Sequence, residues 1–272
     1  MGGLKPPAPV RHRMARRDEY YNRAKQEGLR ARSAFKLRQL DDRLGLLSPG
    51  QVVVDLGAAP GGWLQVAADA VGTDGLVVGV DRQRIRPLEA TQVRLIRADM
   101  TDPETVTTIG ADIPDAGADV VLSDMAPNMS GQYELDHARS VHLAGLALDV
   151  AEELLRTGGS FVAKVFDGPD LAGYRARVDR SFAAETATRP AATRDRSSEQ
   201  YVIGQGYLTG PVREGMRLEG EITAQGAEGD GILKVEGYTV FVPGVQPGTS
   251  VTVEVESVQP RFAFARLLDS SD

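Results

Sequence analysis

The chain has 272 residues, 42% of them hydrophobic and 25% charged, the balance of a soluble globular protein with room for one sizeable core and a small appendage. It has no cysteine, which excludes disulfides and thiolate metal sites, and no window approaches ~18 uninterrupted apolar residues, so no membrane span is expected. Charge is divided unevenly: residues 1–38 carry eleven Lys/Arg against Asp18, Glu19 and Glu27 (+8), and the remaining 20 Lys/Arg face 35 acids (−15).

A basic arm on an acidic body is the footprint of a polyanion partner, usually nucleic acid, although a solvated helix face or tail has the same composition. The N-terminal "MGGLKPPAPVRHRMARRDEYY" has no apolar core behind its charges, so it is not a secretory signal, and a cytoplasmic protein is expected. His137 and His142 stand five apart, the wrong spacing for one helix face, so no metal site is expected. Arginine outnumbers lysine 26 to 5. The acidic, lysine-poor body suits a high-salt cytoplasm, and a GC-rich genome would favour arginine as well.

In chain order, residues 18–46 read as a helix, with Ala34, Leu37, Leu40 and Leu44 at helical spacing. "VVVDLG" is a β-branched run of the kind buried in a parallel sheet. "WLQVAADAV" follows as helix, "GLVVGVD" and "VRLIRAD" as strands, and "ADVVLSDMAPN" as a strand running into a loop. "HARSVHLAGLALDVAEELLRTGG" predicts a long helix stopped by Gly158 and Gly159. Strand "SFVAKVFDG", helix "DLAGYRARVDRSF" and late strands in "AAETATRP" and "SEQYVIGQGYL" complete a pattern that predicts a doubly wound, Rossmann-like α/β sheet. Beyond Gly210–Pro211 the helical period disappears. Short alternating strands broken by glycines predict a small all-β barrel of the oligonucleotide-binding type of architecture.

Within "VVVDLGAAPGGWLQVA", Gly57, Gly61 and Gly62 form a glycine-rich turn between the first strand and a helix, where backbone can approach a ligand closely. The spacing G-x-x-x-G-G is not the dinucleotide fingerprint G-x-G-x-x-G, which disfavours a nicotinamide-dependent oxidoreductase. Asp81, 26 residues after Asp55, ends the next strand where ribose hydroxyls would lie, and Asp99 closes the third strand near an adenine edge. Strand-end acids suit S-adenosylmethionine better than a pyrophosphate cofactor, which they would repel; the plainer reading is that each acid caps a helix. Lys164 poses a separate question, a lysine in an apolar strand of a chain that otherwise prefers arginine. Lysine shifts its pKa when desolvated and arginine effectively never deprotonates, so the site calls for a cation able to lose its proton.

"SAFKL" with Lys36, "DLGAAPGGW", "LSDMAPN" with Asp124, "AKVF" with Lys164 and "SSEQYVIG" with Glu199 together resemble the FtsJ/RlmE family of ribosomal RNA ribose 2′-O-methyltransferases over about residues 15–208. "GDGILKVEGYTVFVPG" and "RFAFARLL" resemble a TRAM domain, a small β-barrel found on RNA-modifying enzymes, and the combination looks archaeal. The resemblance implies a basic arm at 1–17, a methyltransferase domain at 18–210 and a TRAM-like barrel at 211–272. It implies S-adenosylmethionine as cofactor, with Asp55, Gly57, Gly61, Gly62, Trp63, Asp81, Asp99 and Asp124 around it. It also implies a tetrad in which Lys164 is the proton acceptor beside Lys36, Asp124 and Glu199. Trp63 is equally well read as core.

The chemistry agrees with that tetrad. Methylating a ribose hydroxyl needs in-line placement and removal of a poor acid's proton. A lysine at its ordinary pKa of about 10.4 is a weak base at neutral pH. A second cation would favour its neutral form; the two acids oppose that shift and orient the lysines. The expected substrate is a uridine of large-subunit (23S) rRNA, within the ribosomal particle, acted on by a monomer. A tRNA or mRNA-cap ribose, and a non-catalytic RNA-binding module, are the alternatives. The tail strains this picture, because its five Lys/Arg stand against ten acids. Either acids cover its outer face while a local arginine patch and Phe241, Phe262 and Phe264 contact RNA, or the tail does not bind RNA strongly; the phenylalanines are rather expected inside the barrel, where small barrels place such residues.

Overall fold

Short runs of Val, Ile and Leu bury both faces only when helices cover both, and the computed structural model shows that arrangement over the residues it describes, 12–194 and 197–268. Strands β1 (Val52–Leu56), β2 (Leu76–Asp81), β3 (Val93–Arg97), β4 (Ala118–Ser123) and β5 (Leu155–Phe166) run parallel. They are joined by β6 (Phe182–Thr188) and β7 (Glu199–Tyr207) in the order β3-β2-β1-β4-β5-β7-β6, with β7 antiparallel to both neighbours. Strand order reverses between β1 and β4, and a crevice for ligands opens at such a switch point, beyond the carboxyl ends of the strands.

Alternation along each strand feeds two cores. Val53, Val162 and Tyr201 face helices α2 (Ala34–Leu44) and α3 (Gly62–Val71), packing with Leu37, Leu40 and Leu64. Val54, Ala163 and Val165 face α4 (Glu104–Asp112), α5 (Tyr133–Leu154) and α6 (Leu171–Ser181), packing with Ile109, Leu148 and Val178. Each such side chain buried completely contributes roughly 1.5–3 kcal/mol. No helix among the described residues is long and apolar enough to cross a membrane.

Three expectations change. The helix read over 18–46 is two helices, α1 (His12–Gln26) and α2. Gly28 adopts φ +68° and the Leu29 N–H returns to the Ala24 carbonyl at 2.8 Å, a left-handed C-terminal cap that turns the chain away. The first eleven residues of the basic arm lie outside the described residues. Helix α5 ends at Leu154, before Gly158 and Gly159, because Leu155 already pairs with Ala118 as the start of β5. Helix α4, in "ETVTTIGAD", has no counterpart in the sequence reading; it follows Pro103 and buries Thr105 and Ile109.

A further change concerns the tail. Strands β8 (Arg217–Glu221), β9 (Ala224–Gln225), β10 (Gly231–Val235), β11 (Tyr238–Val242), β12 (Ser250–Val258) and β13 (Phe262–Leu267) form a separate sheet in the order β8-β12-β13-β11-β10-β9. The sheet curls, and the Thr223 N–H donates to the Ile232 carbonyl at 2.8 Å, joining the end of β8 to β10. Its interior is filled by Ile222, Leu233, Val240, Val242, Val253, Ala263 and Ala265. Period-2 alternation therefore sends Phe241, Phe262 and Phe264 to the outer face, and Phe264 is 40% exposed. The interior of this sheet takes alanine where phenylalanine was expected.

Candidate active site

Lys164 shares a face of β5 with Val162, toward α2 and α3, and is 7% exposed. Its Nζ donates to the Asp124 backbone carbonyl at 2.6 Å and to Asp124 Oδ1 at 2.9 Å. Asp124 is the first residue after β4, so the central parallel pair β4–β5 carries both groups at its carboxyl end. The Tyr201 hydroxyl donates to the same Oδ1 at 2.8 Å from β7, where Tyr201 lies directly across from Lys164. Lys36, in the first turn of α2 and 8% exposed, forms an ion pair with Glu199 at the start of β7. Its Nζ stands 5.7 Å from the centre of the Tyr201 ring, within cation–π range.

The structure thus brings Lys36, Asp124, Lys164 and Glu199 together as two ion pairs bridged by Tyr201. Taking an ammonium out of water costs several kcal/mol, and here each lysine meets that cost with its own carboxylate. Burial, then the charges of Asp124 and Glu199, raise the Tyr201 hydroxyl well above its ordinary pKa, so it stays a neutral donor. Tyr201 was missed from sequence. The signal was its position two after Glu199 in "SEQYVIG", which puts both on one face of a strand.

Helix α5 pins the ends of both strands. Asp136 accepts from the Ser130 N–H and hydroxyl, each at 2.8 Å, and from the Gly131 N–H at 3.1 Å, which fixes the loop after β4. Those bonds, the Ser130 backbone N–H first, hold its carboxyl below the usual range. His137 is a buried latch: Nδ1 lies 3.0 Å from the Phe166 carbonyl and Nε2 accepts from the Asp170 N–H at 3.1 Å. Ser140 Oγ accepts from the Phe166 N–H at 3.0 Å, two residues past Lys164.

Beside the ion pairs lies a cleft of about 640 Å³, lined by Gly57, Asp81, Asp99, Asp124 and Asn128 and by Arg139 and His142 of α5. Asp81 accepts from the Ala59 N–H at 2.9 Å and the Gln83 N–H at 2.7 Å. Asp99 Oδ1 accepts from the Thr101 N–H and hydroxyl at 3.0 and 2.9 Å, which hold its carboxyl below the usual range. Both acids brace turns and line the cleft at once.

Four of the expected cofactor residues do not line it. An added Cβ at Gly61 would come within 2.9 Å of the Arg30 guanidinium, and one at Gly62 within 3.0 Å of the Ala31 Cβ. The close approach these glycines permit is to the 30–31 segment. Arg30 uses it to donate to the carbonyls of Pro60 at 3.3 Å and Pro87 at 2.6 Å, and to that of Arg86, buckling the loop after β1 to the loop after β2. Trp63 packs against Tyr201 with ring centres 5.7 Å apart and donates to the Ser33 carbonyl at 2.8 Å, the core reading of that residue. Asp55 is fully buried, and neither oxygen has a hydrogen-bond partner among the described residues. Burial, then Asp124 and Asp81, raise its pKa well above the usual range. Arg30, Arg139 and His142 were not picked out from sequence.

Two family models match end to end: that of the FtsJ-like methyltransferases over residues 29–207 and that of the TRAM domain over residues 211–268. Among curated proteins, the chain is 54% identical over 256 residues to the ribosomal RNA large subunit methyltransferase E of Haloquadratum walsbyi, covering 94% of this chain and 100% of that one. The protein of that name from Haloarcula marismortui is 55% identical over 259 residues, covering 93% and 98% of the two chains, and that from Methanosarcina barkeri is 46% identical, covering 92% and 94%. The first sheet with its helices superposes on the crystal structure of a Plasmodium falciparum protein assigned as a ribosomal RNA methyltransferase, with a TM-score of 0.58, 23% identity and coverage of 65% and 98%.

Proposed function

The chain belongs to the FtsJ-like methyltransferase family and carries a TRAM domain, and we propose that it methylates a ribose 2′-hydroxyl, that of a uridine, in large-subunit ribosomal RNA, with S-adenosylmethionine as donor and Lys164 as proton acceptor. The observation that carries this reading is the pairing of buried Lys164 with Asp124. A neutral amine has two N–H bonds and one lone pair, and Asp124 presents two acceptors to Nζ, its carbonyl and Oδ1. Once the ammonium of the ion pair has given up its third proton, both remaining N–H bonds can stay on Asp124 and the lone pair is left for an incoming hydroxyl.

Lys164 Nζ would take the 2′-hydroxyl's proton as that oxygen displaces the methyl group from the sulfonium sulfur, the C–S bonding pair leaving with the neutral thioether product. Asp124, itself held by Tyr201, keeps Nζ in place, while Lys36 and Glu199 hold the ribose by hydrogen bonds to its hydroxyls. A cleft of about 640 Å³ lies within the ~300–1,000 Å³ usual for small-molecule sites, and its acids fit the donor. Asp81 would take ribose hydroxyls, Asp99 the adenine side, and Gly57 and Asp124 the methionine end. When bound, S-adenosylmethionine supplies a methyl group activated by its sulfonium sulfur. Asp55, Gly61, Gly62 and Trp63 serve that site from behind, by shaping its loop. The reading includes a methyltransferase unit at 18–210 preceded by a basic arm, a TRAM unit at 211–272, and a cytoplasmic monomer acting on the ribosomal particle.

The test is transfer of radiolabelled methyl groups to ribosomal subunits and to tRNA in high salt, by the wild type and by Lys164→Ala, followed by digestion to nucleosides. Label in a 2′-O-methyluridine of large-subunit rRNA, lost in the variant, is the expected result. Label on tRNA alone moves the substrate. No labelled RNA from a protein that still binds the cofactor ends the assignment.

A further inference from the structure

Strand β5 outruns its parallel neighbour at the point where Lys164 stands. β4 ends at Ser123, opposite Ala163, and β5 continues through Lys164, Val165 and Phe166 with β7 beside it on the other edge. Phe166 lies opposite Glu199, and the next residue, Asp167, donates its N–H to the Ser198 carbonyl at 2.8 Å. Along an antiparallel pair, alternate residues turn their backbone groups toward the partner strand. The N–H and C=O of Phe166 therefore point the other way, to the edge where β4 has already ended. Phe166 is buried, and a buried backbone group left without a partner is costly.

Two side chains of α5, 1% and 2% exposed, stand in for the missing strand. Ser140 Oγ accepts from the Phe166 N–H at 3.0 Å, and its own hydrogen goes to the His137 carbonyl at 2.7 Å, which fixes where its lone pairs face. His137 Nε2 meets the Asp170 N–H at 3.1 Å, a group that can only donate. The ring hydrogen is therefore on Nδ1, which donates it to the Phe166 carbonyl at 3.0 Å. Gly168 belongs to the same arrangement: a Cβ added there would come within 2.4 Å of His137 Nδ1, so the chain beyond β5 closes directly over the ring. The residues of α5 that line the cleft are Arg139, His142 and Leu143, and the clamp stands behind them.

We propose that His137 and Ser140 are positioning residues for methyl transfer, an inference that rests on Lys164 being the proton acceptor. By holding both backbone polar groups of Phe166 they fix the strand end that carries Lys164, two residues upstream, and the start of β7 at Glu199, directly opposite. Asp136, on the same turn of α5, braces the loop that follows Asp124, so one stretch of helix sets both partners of the Lys164–Asp124 pair. A strand end held along one edge opens more readily than one held along two. A displacement of about 1 Å at the reacting atoms can cost about 10²-fold in rate.

The test uses the full chain and measures single-turnover methyl transfer to ribosomal subunits together with hydrogen exchange at the Phe166 amide. Ser140→Ala removes the acceptor for that amide. His137→Gln reaches the place of Nε2 and drops the bond to the strand, whereas His137→Asn keeps a donor at the place of Nδ1 and drops the bond to Asp170. Ser140→Ala and His137→Gln should lower the rate at saturation about 10–100-fold, with half-saturating RNA and S-adenosylmethionine unchanged within about twofold, and His137→Asn should keep most of the rate. Phe166 exchange should quicken in Ser140→Ala. Val178→Ala, a cavity in the core under α6, should lower Tm and leave the rate as it was. Circular dichroism melts show which variants are folded, and Ser140→Ala, which loses a single oxygen, carries the test if the histidine variants are not. Quickened Phe166 exchange at the wild-type rate would overturn the proposal. So would equal losses in the Asn and Gln variants, or a rate that follows Tm through Val178→Ala as well, which would make the clamp structural only. A wild type that methylates no RNA ends the methyl-transfer reading, and a wild type that does so while Ser140→Ala keeps its rate ends the clamp alone.

Discussion

The carboxyl end of the first sheet and the outer face of the second handle their exceptional residues in opposite ways. At the first, two lysines are withdrawn from water, and each is given a carboxylate. At the second, Phe264 is exposed and Phe241 and Phe262 are half-buried, the three rings packed against one another on the outer face. Moving a proton calls for a group whose surroundings are fixed and dry. The two regions should therefore respond differently to substitution: on the proposed function the first should lose activity, and the second should keep its fold.

The contrast is sharpest at Lys164. Lys164→Arg keeps the positive charge and removes the capacity to give up a proton, and methyl transfer should fall by about 10²–10⁴-fold, the usual contribution of a positioned acid or base, while cofactor binding measured by calorimetry is retained. Activity near that of the wild type would mean that charge alone is needed there. Tyr201→Phe comes next. It keeps the ring between Trp63 and Lys36 and deletes the bond to Asp124 Oδ1, a hydrogen bond to a charged group worth about 1.5–3 kcal/mol, which should appear mainly in kcat if the bond positions the pair. A loss confined to KM would make Tyr201 a binding group.

Asp55→Asn tests the raised carboxyl under the cleft. Its folded pKa is raised, so the folded state holds a proton that the unfolded chain releases above its own pKa of about 3.9; stability is full below that pH and is lost as pH climbs toward the folded value. The asparagine variant lacks this titration, and thermal melts from pH 4 to pH 8 should show its Tm gaining on the wild type as pH rises. Parallel curves would mean that Asp55 is ionised in the folded protein. The smallest effect belongs to Phe264→Ser, which should change stability by within about 0.5 kcal/mol in urea titrations, as surface substitutions do. A loss of several kcal/mol would show the ring to be structural, and the two regions would no longer differ in kind.

Sequence reading recovered most of this architecture. Runs such as "VVVDLG" and "LVVGVD" are buried on both faces, and such strands announce themselves by composition. Lys164 was legible because it is out of character for its apolar strand, and Lys36, Asp124 and Glu199 were legible through the motifs that resemble the family. Tyr201 was not, since a tyrosine in a strand is ordinary, and only the register of β7 on β5 places its hydroxyl at Asp124. Gly61 and Gly62 were read as making room for a ligand, and the segment that fills the room lies thirty residues earlier in the chain. For the phenylalanines, alternation in "FAFA" divides the strand into two faces and cannot say which is inside. The barrel's width decides that, and it admits alanine.

Arg30 joins these themes. Its guanidinium hangs from carbonyls on both loops at the cleft, and its backbone lies in the link between the basic helix α1 and the lysine-bearing α2. On the proposed function, the link is a strut shared by the basic helix that would meet RNA and the cleft that would hold the methyl donor. By thermodynamic reciprocity, if RNA on the basic helix shifts that strut and changes the affinity for the cofactor by some factor, the cofactor changes the affinity for RNA by the same factor. One arginine would thereby couple the two affinities to the same extent whichever ligand arrives first.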